Sequence, residues 1–200
     1  MKLKNTLGVV VSAVLAASSL SVMAQGQGAV EVDVFGQYYA PDSSRNVTEG
    51  DLYGTSIGYY LTEDVSLGLS YGEYHSMNSD DSYPGIGHKE IKGSLAALNA
   101  TYHFGSLGDS LRPFVSSSVA HQSLSNTPAR TGRDQTTFVN VGTGAKYFIT
   151  ENLFAKVNVD AMYGLDTGET EWMAGVGVGL NFGGAGKPVE AAPVIDVCTD

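Results

Sequence analysis

Residues 172–182 read Trp172-Met-Ala-Gly-Val-Gly-Val-Gly-Leu-Asn-Phe182. Trp172, Ala174, Val176, Val178, Leu180 and Phe182 share one parity; Met173, Gly175, Gly177, Gly179 and Asn181 share the other. A period of two means a strand with two unlike faces. A soluble sheet would put long polar side chains on its wet face. Here the second face is mostly glycine, which suits a crowded interior. The apolar face then looks outward, and an apolar surface of that extent needs lipid, because soluble monomers tolerate only a few hundred Å² of it.

The same alternation recurs upstream. Val30, Val32 and Val34 alternate with Glu31 and Asp33, and Tyr53, Ile57, Tyr59 and Leu61 with Gly54, Ser56, Gly58 and Tyr60. Further runs start at Val65, Leu98, Leu111, Val139 and Leu153, which makes eight in all. Gly68, Gly72, Gly142 and Gly144 again take the polar parity. A soluble lipocalin-like barrel would show the same period, but its wet exterior would carry Lys and Glu where these runs carry glycine. The expected fold is all-β: an eight-stranded antiparallel up-and-down transmembrane β-barrel. Closure is required because an open edge would leave backbone groups unpaired in lipid. Strands of about 11 residues at ~3.3 Å rise and ~45° tilt span roughly 23 Å, close to the ~25 Å apolar band of such barrels.

Connections alternate in length. Residues 62–64, 105–110 and 150–152 form short turns, whereas 40–50, 76–88, 122–135 and 164–171 form longer polar loops. Short turns face the periplasm and long loops the exterior. Aromatics gather near strand ends as two girdles: Tyr59, Tyr102, Phe104, Tyr147 and Phe182 below, Tyr71, Tyr163 and Trp172 above. Glu73 breaks the apolar parity and is expected at the outer rim or past a bulge. Pro113, which lacks a ladder donor, is expected near the periplasmic end.

Lys2 and Lys4, the apolar run Leu7 to Ala17 and Val22-Met23-Ala24 form a secretory signal over residues 1–24, with cleavage expected after Ala24. The barrel domain is expected over 25–182. Residues 183–200 begin as a Gly/Ala/Pro linker. Cys198 is the only cysteine, and its place near the end suggests that a larger protein continues beyond it. Charged residues make up 16% of the chain, against roughly 25% in ordinary soluble domains. Loss of Lys2 and Lys4 would move the net charge from −10 to −12, and phosphate backbones would be repelled, so no nucleic-acid partner is expected.

The start Met1 to Val10, Leu52-Tyr53-Gly54 through Gly58-Tyr59, Leu69 to His75, Tyr102-His103-Phe104-Gly105 and Glu171 to Gly175 closely resemble the OprF family, the OmpA-type major outer-membrane porins of pseudomonads. The resemblance covers residues 1 to about 182. It implies a cell outer membrane location and a weakly selective diffusion channel for ions and small solutes. It also implies contact with outer-membrane lipid and lipopolysaccharide. Val197-Cys198-Thr199-Asp200 resembles the start of that family's cysteine-containing connector. A peptidoglycan-binding domain would follow, so peptidoglycan is a partner only through that missing part.

By parity Glu31, Asp33, Arg112, Lys146, Lys156 and Asp160 point inward. An eight-stranded barrel is just wide enough for side chains to fill it. These charges are read either as a network lining and partly closing a wet pore, or as a static polar core that only stabilises the barrel. The alternative function is a plugged barrel acting as membrane anchor and surface-binding, adhesin-like module. Phe182 ends the last strand and resembles the signal read by the outer-membrane assembly machinery. No catalytic residue, cofactor or metal site is expected. Gly175-Val-Gly177-Val-Gly179 and Gly142-Thr-Gly144-Ala-Lys146 lack the spacing of nucleotide loops, and the four histidines show no ligand spacing. His121 and Ser123 with Asp80 or Asp81 imitate an acyltransferase rim, but such residues are common in loops.

Overall fold

The computed structural model describes residues 25–43, 48–78, 90–125 and 135–184. The expected signal, residues 1–24, and all but the first two residues of the expected linker lie outside these, as do Asp80 and Asp81. The described chain forms eight strands: β1 (Val30–Ala40), β2 (Gly50–Tyr60), β3 (Val65–Asn78), β4 (Glu90–His103), β5 (Leu111–Ser125), β6 (Gln135–Phe148), β7 (Leu153–Gly164) and β8 (Thr170–Phe182). Each pairs antiparallel with its sequence neighbours, and β8 closes on β1 from Val30↔Phe182 to Ala40↔Trp172. The closed eight-stranded barrel expected from the alternation is the fold that forms.

Parity sorts inside from outside along most of each strand, although Leu180, expected outward, is buried near the periplasmic end of β8. Leu69, Val141 and Val176, all outward, are 59%, 64% and 62% exposed. Tyr59, Tyr102, Phe104 and Tyr147 are exposed at the periplasmic end, and Tyr38, Tyr53, Tyr163 and Trp172 toward the outer end. These residues make an apolar belt between aromatic girdles.

Two periplasmic turns use one device. The Thr62 hydroxyl accepts from the N–H groups of Asp64 and Val65 at 3.2 and 3.0 Å, and Thr150 accepts likewise from Asn152 and Leu153 at 3.3 and 3.0 Å. A threonine that satisfies two turn donors fixes the register of its hairpin. Pro113 lies on β5 opposite Ala145, near the periplasmic end.

Several strands outrun the expected boundaries: β3 to β6 hold 14, 14, 15 and 14 residues. A backbone ladder needs no apolar residues, so pairing continues above the belt into segments that read as loop. Glu73 is outward and exposed, just before an irregularity between Tyr74 and Met77, where the β3–β4 register shifts. Ser76 sits there at φ 62°, the left-handed region that costs a non-glycine residue roughly 1–2 kcal/mol. Ser76→Gly should raise the urea midpoint of the folded barrel, a gain of up to about 1 kcal/mol, and Ser76→Val should lower it.

Candidate functional site

Among the described residues the lumen gathers the buried charged and polar side chains, and it is stacked in three layers. The periplasmic layer is ionic and aromatic. Lys146 Nζ on β6 lies 2.5 Å from Glu31 Oε2 on β1, across the barrel. It also donates to the Tyr60 oxygen at 3.3 Å, and the Tyr60 hydroxyl donates to Glu31 at 3.2 Å. The Lys146 ammonium sits 5.0, 5.7 and 6.0 Å from the ring centres of Phe154, Tyr60 and Phe114. Arg112 does not cross the lumen. It reaches down to the β2–β3 turn, where it donates to Glu63 O at 3.2 Å and Asp64 Oδ1 at 3.1 Å.

The middle layer is polar. Lys156 Nζ pairs with Asp33 Oδ1 at 2.6 Å, and Ser56 donates to the other Asp33 oxygen. Asp160 accepts from the Asn158 amide and, among the described residues, makes no ion pair. Asn99 donates to Ser70 at 3.1 Å and Asn140 to Ser118 at 3.0 Å. Between these groups lies a cavity of about 140 Å³, room for several waters.

The outer layer is apolar: Tyr39, Leu52, Tyr74, Met77, Ile91, Leu95, Leu124, Phe138, Met162 and Met173 pack as one buried cluster. Polar contacts cross it. Tyr39 donates to the fully buried Glu171, and Gln122 donates to the Tyr74 hydroxyl at 2.8 Å.

The structure thus places Glu31, Asp33, Arg112, Lys146, Lys156 and Asp160 inside the barrel. It joins four of them in two pairs, ties Arg112 to a turn and leaves Asp160 with a neutral partner. Trp172 is exposed on the outer part of β8, opposite Ala40 and Ala161, and Phe182 is half-buried at its periplasmic end opposite Val30. His121 and Ser123 take the outward parity of β5; His121 is exposed, with Nδ1 3.4 Å from the Thr137 hydroxyl.

The glycine face is covered rather than open. Large side chains on the neighbouring strand lie flat over the glycines. A Cβ on Gly179 would stand 2.4 Å from the Phe154 ring, one on Gly54 2.5 Å from Phe35, one on Gly144 2.6 Å from Phe114, and one on Gly177 2.9 Å from Lys156. Each is a direct cross-strand pair. The glycines are slots that let aromatic and cationic groups fill a narrow barrel. The sequence reading passed over inward Phe35, Phe138, Phe154 and the outer cluster; parity would have found the three phenylalanines, which fall in step with Glu31, Asn140 and Lys156.

Comparison with known proteins agrees with this architecture. The OprF membrane domain family matches residues 1–186. Outer membrane porin F of Pseudomonas aeruginosa is 51% identical over the whole chain, which corresponds to 58% of that relative's length. The protein of the same name from Pseudomonas fluorescens is 46% identical over 92% of this chain and 56% of its own length. The chain therefore spans little more than half of these relatives. The crystal structure of the N-terminal β-barrel domain of P. aeruginosa OprF superposes with a TM-score of 0.61 at 48% identity, covering 79% of this chain and all of that one. OprG from P. aeruginosa shares the fold alone, with a TM-score of 0.62 at 14% identity over 82% of this chain and all of its own. The closed barrel, its lipid-facing belt and its charged, layered lumen belong to an outer-membrane protein, and this chain is a member of the OprF membrane-domain family.

Proposed function

We propose that this chain is the membrane part of a porin, a narrow and weakly selective diffusion path for ions and small solutes across the outer membrane. The observation that carries the reading is the cavity of about 140 Å³ at mid-lumen, with charged and hydroxylated groups among the apolar ones on its walls, inside a lipid-belted barrel. Passage requires both bounding layers to rearrange: the Lys146–Glu31 layer below and the apolar cluster above. The six inward charges line the path and set its ion preference. Phe182 acts both as a girdle aromatic and as the mark read by the assembly machinery. Outer-membrane lipid and lipopolysaccharide cover the belt, and peptidoglycan is reached only through a domain beyond this chain.

The buried outer cluster favours a second reading, a plugged barrel that serves as anchor and surface-binding module. Conductance separates the two. The mature chain in planar bilayers should give small single-channel steps, and Leu52→Ala with Leu95→Ala, which thins the outer layer, should give larger ones. Silent membranes from both proteins, with heat-modifiable gel mobility showing intact barrels, would leave the anchor reading standing.

A further inference from the structure

The wall of the cavity formed by β5, β6 and β7 concentrates oxygen atoms around one glycine. If Gly142 carried a Cβ, that atom would stand 1.9 Å from Asp160 Oδ1 and 2.8 Å from Ser116 Oγ. The two oxygens therefore face the same small space from opposite neighbours of β6, since Gly142 pairs with Ser116 on one side and Asp160 on the other. Two residues along β6, Asn140 donates its amide to Ser118 and presents Oδ1 with no hydrogen-bond partner, although the residue is only 8% exposed. Asp160, Ser116, Ser118 and Asn140 all line the mid-lumen cavity.

A buried carbonyl oxygen without a donor costs about 1–3 kcal/mol unless something satisfies it. The nearby cations are committed elsewhere, Lys156 to Asp33 and Lys146 to Glu31. Among the described residues the hydrogen-bond donor to Asp160 is the Asn158 amide, bound to its other oxygen. The local set is one carboxylate, one amide carbonyl and two hydroxyls, all hard oxygen donors. No imidazole or sulfur stands among them, so transition metals are disfavoured. A single negative charge matches a monovalent ion, and a divalent cation normally takes more carboxylate than this.

We propose that this wall is a binding site for an alkali-metal cation, sodium or potassium, held by Asp160, Asn140 Oδ1 and the hydroxyls of Ser116 and Ser118. The absence of a side chain at Gly142 lets the Asp160 carboxylate lie over the β6 backbone beside Ser116. The site rests on the diffusion-path reading only for how the ion enters and leaves. Residence there is weak, because a conducting path needs sites that an ion also quits readily.

The test is sodium-23 relaxation of the mature full chain in detergent micelles, titrated with NaCl and then with KCl. Saturable excess broadening, reversed by potassium, is expected for the unaltered protein. Asp160→Asn, which keeps shape and removes charge, should abolish it. Asn140→Ala should weaken sodium affinity by roughly tenfold, equivalent to about 1.4 kcal/mol. Heat-modifiable mobility checks that each barrel is intact, and the second variant stands in if the first does not fold. No saturable broadening, or broadening unchanged in a folded variant, overturns the site; a protonated Asp160 would give that result. Bound sodium in a barrel that never conducts would uphold the site and sink the diffusion path, and conduction without bound sodium would do the reverse.

Discussion

Gly144→Ala should prevent recovery of the folded barrel under conditions where Gly58→Ala folds normally. A Cβ on Gly144 would lie 2.2 Å from the Val157 carbonyl oxygen and 2.6 Å from the Phe114 ring. The ring can swing, but the carbonyl belongs to β7, which Ala145 and Val157 hold in register against β6. Relief requires the two backbones to part, and in lipid each parted group goes unsatisfied. Overpacking alone costs about 1–3 kcal/mol; with ladder bonds lost the cost should exceed about 3 kcal/mol. A Cβ on Gly58 meets only Leu67 O at 3.6 Å and Glu31 Cβ at 3.8 Å, ordinary contacts. Gly58→Ala should therefore be neutral or stabilise by up to about 1 kcal/mol, through a stiffer unfolded chain. Urea titrations read by the folded fraction on unboiled gels give both values. Equal midpoints for the two variants would show that lumen glycines are interchangeable and that close cross-strand approach does not govern them.

Much of this architecture was legible because one period repeats in every strand. Alternation at Val30–Val34 and Trp172–Phe182 sorted residues into inside and outside, and closure followed from the cost of an edge in lipid. Parity gives the face, however, and not the height. Lys146 meets Glu31 across the lumen, two strands that are not neighbours, and no local spacing joins residues 115 apart. Arg112 has the same parity as the wall charges but sits one residue into β5, so the nearest acid is Asp64 in the turn beneath it. The outer apolar layer was hidden for a different reason. Met77 and Leu124 fall in stretches whose Ser, Asn and Gln neighbours read as loop, yet both are buried on extended strands. Polar outward residues there mark emergence from the membrane, not the end of pairing. The sequence thus exposed the wet middle of the lumen and concealed the layer that bounds it.

Removing one partner of the lower charge pair should cost far more than removing both. The Lys146 and Glu31 side chains are only 5% and 11% exposed. Lys146→Met leaves Glu31 charged and buried without its ammonium partner, a loss of about 3–5 kcal/mol. Glu31→Gln alone strands Lys146 in the same way, since a neutral amide compensates an ammonium poorly. Combining Lys146→Met with Glu31→Leu removes both desolvation penalties, and such replacements are often neutral or stabilising by about 1–4 kcal/mol. The double variant should therefore unfold at a urea midpoint close to or above that of the unaltered barrel, while each single variant falls well below it. Additive losses would mean that the two charges do not compensate one another. The same double variant also decides what the pair is for. With the charges gone and the barrel intact, a pore-lining role predicts altered conductance or a shifted cation-to-anion preference in planar bilayers. Lys146→Glu, which sets like charges together, should push that preference further toward cations wherever it still folds. If the stable double variant conducts with unchanged steps and unchanged preference, the pair is part of a polar core that only holds the barrel together, and selectivity must be sought higher in the lumen, at Lys156, Asp33 and Asp160.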